Sequence, residues 1–162
     1  MIHLLVGNTG SGKTTYANKL KHELKAVIFS IDSWNRMLFL PDKTDADGLD
    51  WFLERIDRSE AMIQNLAVQL DAIGVDVILD LGFSKSSHRE KFRIFAKEKN
   101  IAVQLHFLDI PIKTRKERIV KRNTEKGTTF EFEVSNEDFD FMESWFESPQ
   151  TEELKNAVVI KE

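Results

Sequence analysis

Gly7-Asn8-Thr9-Gly10-Ser11-Gly12-Lys13-Thr14 has the spacing glycine, four residues, Gly-Lys-Thr, and Thr15 follows it. That pattern suits an anion. Glycines let backbone amides curl round phosphate oxygens, a helix start adds positive partial charge, and a lysine reaches the outer phosphates. Thr14 supplies a hydroxyl for a magnesium ion. An apolar run, Ile2 to Val6, leads into the loop, and a helical pattern from about Lys13 to Leu24 leaves it. Both neighbours are the ones the loop requires. Such a match arises by chance in only about three of a thousand sequences of this composition. Residues 7–15 are therefore expected to bind a nucleotide, ATP or GTP, with magnesium.

Two acids follow apolar runs: Asp32 after Ala26 to Ile31, and Asp80 after Val75 to Leu79. A carboxylate at the position of Asp32 can take the proton of an attacking hydroxyl. It can equally cap the short helix expected from Ser33 to Leu38, or reach magnesium through water. Asp80 ends a hydrophobic strand and is expected to support magnesium with Thr14, with a turn or cap as its plainer role. Arg115, Arg118 and Arg122 are three and four residues apart, so one helix face can carry all three over a charged transition state. Arg118 and Arg122 are the catalytic candidates, beside Lys13 and Asp32. Arg36, one turn past Asp32, and Arg89, beyond Asp80, are candidates for contact with an acceptor. His88 shows no partner at ligand spacing. Trp34 and Trp51 fit core packing better than ring stacking.

These groups need a frame. The apolar runs, with Ala102 to Leu108 and Ala157 to Ile160, alternate with helical patterns. One such pattern spans Leu49 to Ile73 and can be broken once. Another follows a Ser87/Glu90 capping box, and Pro111 opens the next. Alternation of this kind predicts a parallel, roughly five-stranded sheet in a three-layer α/β/α arrangement, with ligands at the carboxyl edge of the strands. Residues 1–162 are expected to form one domain, with a helical lid at about 111–127. From Glu131 to Glu153 the chain holds many acids and no Lys or Arg. Phe130 and Phe132 alternate there, and Phe139, Met142, Trp145 and Phe146 form a helical stripe, so the segment should pack apolar-in and acid-out. It can also attract a cationic acceptor or pair with the lid arginines.

Composition narrows the classes. With 41% hydrophobic and 31% charged residues and a net charge of −4, the 162 residues read as a soluble globular chain without a broad nucleic-acid footprint. The absence of cysteine removes disulfides, thiolate zinc sites and cysteine nucleophiles, and fits a reducing compartment. No leader or spanning segment is seen, so a cytoplasmic location is expected.

GNTGSGKTT at 7–15, SID at 30–32, ILDLGF at 78–83 with Arg89 beyond, and RKERIVKRN at 115–123 resemble the P-loop kinase group that contains zeta toxins, chloramphenicol phosphotransferases and phage-type polynucleotide kinases. The resemblance implies that Asp32 is the general base and that Arg118 and Arg122 are lid arginines. The stretch from Phe130 to Pro149 resembles the tails of ATP-binding proteins of this group and names no substrate. The expectation is an ATP-dependent transfer of the terminal phosphoryl group to a hydroxyl of a small molecule or a nucleic-acid end. Two rivals stand beside it: an ATPase or switch whose nucleotide state a partner reads, and a nucleoside monophosphate kinase. No Asn-Lys-x-Asp guanine motif supports a Ras-like switch.

Overall fold

The computed structural model describes residues 1–126 and 133–161. The expected alternation of Phe130 and Phe132, the acid Glu131 and the end of the lid at Gly127 lie outside the described residues. Among the described residues, five parallel strands are joined in the order β2-β3-β1-β4-β5. They are β1 (Ile2–Val6), β2 (Val27–Ser30), β3 (Val77–Asp80), β4 (Val103–Leu108) and β5 (Val158–Ile160). The helices are α1 (Lys13–Leu24), α2 (Ile31–Trp34), α3 (Leu49–Ala72), α4 (Ser86–Glu98), α5 (Ile112–Glu125), α6 (Asn136–Trp145) and α7 (Thr151–Leu154). A π-helical turn, Asn35–Phe39, continues α2 without a break.

Period-two alternation in β1 divides the layers. Ile2, Leu4 and Val6 face a large core that takes Ile63 and Ala67 from α3 and Phe92 and Ala96 from α4. Leu5 points the other way, to Ala17 and Leu20 of α1 and Ile78 of β3. Ile119 of α5 forms a separate small cluster with Val134 and Phe139 of α6. The sheet is thus covered on both faces, as its continuous apolar strands require. No helix among the described residues is long and apolar enough to cross a membrane.

Register places the chemistry. Ser30 stands opposite Asp80 across the β2/β3 pair, so Asp32, two residues on, emerges at the same carboxyl edge as Asp80. The strand before it ends earlier than the apolar run suggested because the Ser30 hydroxyl accepts from the Ser33 amide and starts α2. Likewise α3 continues unbroken over 24 residues. The Ser87/Glu90 capping box is not formed. The first amide of α4 is met from far along the chain, since Glu147 accepts from the Ser86 amide at 2.9 Å and from its hydroxyl at 2.8 Å. Those bonds, with Lys85 at 3.1 Å, hold the Glu147 carboxyl down to about 2.

A polar chain crosses the α1 face of the sheet. Tyr16 of α1 donates its hydroxyl proton to His106 Nδ1 (2.8 Å), His106 Nε2 meets His3 Nδ1 (2.9 Å), and His3 Nε2 meets Asp76 (3.4 Å). Burial keeps both rings neutral at pH 7, and a carboxylate only accepts, so each ring then carries its proton on Nε2. Burial, reinforced by the neighbouring His3, brings His106 down to about 4, and burial lowers His3 as well. Below its ordinary pKa near 6.5 the unfolded chain takes up a proton at His106 that the folded chain refuses, so stability falls as pH falls. Between pH 7 and pH 5 the loss should be about 2 kcal/mol. Urea unfolding at the two pH values measures it, and a His106→Asn variant should show a flatter dependence. An equal slope in wild type and variant would contradict the assignment.

Candidate functional site

The loop between β1 and α1 has the backbone an anion cradle needs. Gly10 (φ +79°) and Gly12 (φ +91°) occupy the left-handed region, where a side chain is strained. At Gly10 space is closed too, because a Cβ would lie 2.7 Å from the Arg115 carbonyl oxygen of α5. Gly12 is the N-cap of α1, so the loop runs directly into a helix start. The Ser11 amide donates to the Asn8 carbonyl (3.1 Å), and Lys13 Nζ donates to the Gly7 carbonyl (2.8 Å), which lays the ammonium along the loop. Thr14 and Thr15 stand exposed on the first turn of α1.

Asp80 hydrogen-bonds with Thr14 and lies close enough to Lys13 for the ammonium to oppose its shift. Burial wins, and its carboxyl is raised above the usual range. Oxygen donors held together in this way suit a hard divalent cation that keeps most of its waters.

Asp32 sits exposed in the first turn of α2. The cap of that helix is Ser30, so the carboxylate of Asp32 is not consumed in capping. Arg122, reaching over from α5, senses Asp32: burial lowers the guanidinium and the Asp32 charge opposes that shift. The Nε and Nη2 groups of Arg122 are buried and hydrogen-bond to no protein atom. Buried guanidinium N–H groups without an acceptor are costly, and their fork fits the two oxygens of a carboxylate or a phosphoryl group. Arg118 donates from Nη1 to the Ser11 carbonyl at 3.0 Å, so it rests on the loop itself. Arg36 lies exposed on the π-helical turn that follows Asp32.

Other placements correct the sequence reading. Arg89 is fully buried, not turned to an acceptor. Its Nε and Nη2 form a fork on Glu153 (2.7 and 3.0 Å), and Nη1 donates to the Phe83 and Glu147 carbonyls (3.1 and 2.9 Å). With its donors spent in this way, Arg89 fastens the carboxyl-terminal segment to the loop after β3. Arg115 is buried as well, and its donors go to Ile110 and Thr9 carbonyls and to Glu143. The first turns of α5 are thereby fixed on the phosphate loop, leaving Arg118 and Arg122 as the reaching arginines. His88 does have a partner: Glu60 of α3, at 2.7 Å, which no local spacing could reveal. Trp34 packs edge-on against Phe29 at 5.9 Å, and Trp51 carries the Arg55 guanidinium over its ring at 3.7 Å.

The acidic segment turns back onto the site. Glu143 of α6 accepts from Asn8 in the loop and from Arg115, and Asp140 accepts from Lys116. The sequence left open a pairing with the lid arginines; these pairs fall instead on Arg115 and Lys116 of the same helix. Glu143 and Glu147 were not singled out from the sequence, where each was one acid among many.

Known proteins share this architecture. Chaetomium thermophilum Kti12, solved in complex with ADP-AlF3, superposes with a TM-score of 0.73 at 16% identity, over 99% of this chain and 89% of that one. A putative kinase from Chloroflexus aurantiacus gives 0.72 at 16% identity, over 99% and 86%. The Mycobacterium tuberculosis APS kinase CysC, in complex with AMPPNP and APS, gives 0.65 at 19% identity, over 99% and 87%. At these identities the likeness is one of fold. No curated protein matches the chain in sequence. The family model described as AAA domain matches residues 2–149, a span that holds the phosphate loop, both edge acids and the reaching arginines; the chain belongs to that family.

Proposed function

We propose that the protein is an ATP-dependent phosphotransferase that moves the terminal phosphoryl group to a hydroxyl of a small molecule or a nucleic-acid end. One observation carries this reading: Arg122, with two buried N–H groups awaiting an acceptor, lies within electrostatic reach of Asp32 at the edge where the phosphate loop opens. A cation placed for a phosphoryl oxygen and a carboxylate placed for a hydroxyl proton are the two groups an in-line transfer needs. The loop amides and Lys13 hold the donor phosphates. Asp32 takes the acceptor proton as the oxygen attacks, and Arg122 and Arg118 neutralise charge on the group in transit. Thr14 and Asp80 would hold magnesium, which supplies charge neutralisation between the outer phosphates. Arg36, exposed one turn from Asp32, is placed to meet an anionic acceptor.

Lys13→Ala should weaken ATP binding by about tenfold or more, because a charge-assisted contact to the phosphates is removed. Titration calorimetry checks this, and unchanged affinity would remove the loop from the account. A second reading, a nucleotide-dependent ATPase or switch read by a partner, draws support from Met37, Leu38 and Leu40. These are exposed by 72%, 54% and 45% just beyond Asp32, an apolar surface suited to a macromolecule. Label transfer from ATP to a hydroxyl, lost in Asp32→Asn, separates the two.

A further inference from the structure

We propose that Glu143, on the acidic helix α6, is a positioning residue for the phosphate loop, which makes the carboxyl-terminal acidic segment part of the donor site. The proposal rests on the reading of that loop as the ATP site and deepens it.

Four residues close a ring beside the loop. The Asn8 side chain is buried. Its Oδ1 accepts from the Thr9 amide at 2.7 Å, and its Nδ2 donates to Glu143 at 2.8 Å. Glu143 also accepts from Arg115 Nη2 at 2.9 Å, and Arg115 Nη1 donates to the Thr9 carbonyl at 3.2 Å. Thr9 is therefore held at both ends, its N–H by Asn8 and its carbonyl by Arg115, and Glu143 joins the two holders.

What this does to phosphate binding follows from peptide geometry. The Thr9 carbonyl and the Gly10 N–H belong to one planar trans peptide and point in opposite directions. Pinning the Thr9 carbonyl on Arg115 fixes the plane of that peptide and with it the direction of the Gly10 N–H, which points away from the guanidinium. An amide already aimed costs nothing to reorient when an anion arrives. Removing Glu143 leaves the buried Arg115 guanidinium without its carboxylate and Asn8 Nδ2 without an acceptor, so both holders loosen together.

The sign of the effect separates this role from a simple one. A carboxylate acting only through its charge would repel ATP, and its removal would tighten binding. A carboxylate acting through the ring does the reverse. Glu143→Ala is therefore expected to weaken ATP binding by about tenfold and Glu143→Gln, which keeps an acceptor oxygen, by about threefold. Titration calorimetry on the full chain, well below the melting temperature of each variant, reads the affinity of the folded fraction, which a loss of stability alone does not change. Asn8→Ala combined with Glu143→Ala should be scarcely weaker than the weaker single variant, because both break the same ring. Unchanged or tightened binding in Glu143→Ala, or full additivity in the double variant, overturns the proposal while leaving the ATP site intact. Failure of the wild type itself to bind ATP overturns both.

Discussion

Asp32→Asn should leave ATP affinity within about twofold of wild type and lower phosphoryl transfer by about 10²–10⁴-fold. The substitution keeps the shape of the side chain and removes its ability to accept a proton. It should not unfold α2, whose first turn is capped by the Ser30 hydroxyl. Nor does it touch the phosphate loop, whose hydrogen bonds run among Gly7, Asn8, Thr9 and Ser11 and to the helices α5 and α6. The loss should therefore fall on the chemical step, read as a lower single-turnover rate at saturating ATP. Wild-type transfer by this variant would remove the base from Asp32 and leave Arg122 facing a carboxylate of electrostatic use only.

Arg89→Ala should cost about 3–5 kcal/mol of stability, since deleting one partner of a buried ion pair strands the other. The arginine is fully buried and touches two segments far apart in sequence: the loop after β3 through Phe83, and the carboxyl-terminal stretch through Glu147 and Glu153. Glu153 also accepts from the Gln150 amide at the start of α7, so the same carboxylate caps a helix and holds the guanidinium. Its carboxyl is lowered by those bonds to Arg89 and Gln150 despite burial, the largest single influence, which acts upward. Lysine should not rescue, because a point charge cannot reproduce the fork on Glu153. Urea denaturation measures the loss, and the Michaelis constant for ATP in the remaining folded protein should not move. A change below about 1 kcal/mol would contradict the buried pair.

The strands and most helices were legible because each is specified locally. Ile2–Val6 and Lys13–Leu24 fall where the apolar run and the helical period put them, and the phosphate loop is a contiguous motif. Asp32 and Asp80 were legible as acids following strands, and the register of β2 against β3, with Ser30 opposite Asp80, brings both to one edge of the sheet. Illegible were the contacts that join distant segments. Arg89 read as a candidate acceptor contact because the four oxygens that take its donors, on Phe83, Glu147 and Glu153, are assembled only by the fold. The same holds for Glu60 with His88, and for His3 with His106, which are neighbours only because β4 is paired with β1. The missed cap of α4 has the same origin: a carboxylate 61 residues away did the work assigned to Ser87 and Glu90.

In the proposed reaction a hydroxyl, not water, receives the phosphoryl group. This is tested most directly by following terminal label from ATP with magnesium across 5′-hydroxyl oligonucleotides, nucleotide sugars and antibiotics, in wild type and Asp32→Asn. Label on an acceptor is expected with wild type, and none above background with Asp32→Asn. Label released only as inorganic phosphate, at the same rate in both proteins, would contradict that reaction and point to a nucleotide-driven switch.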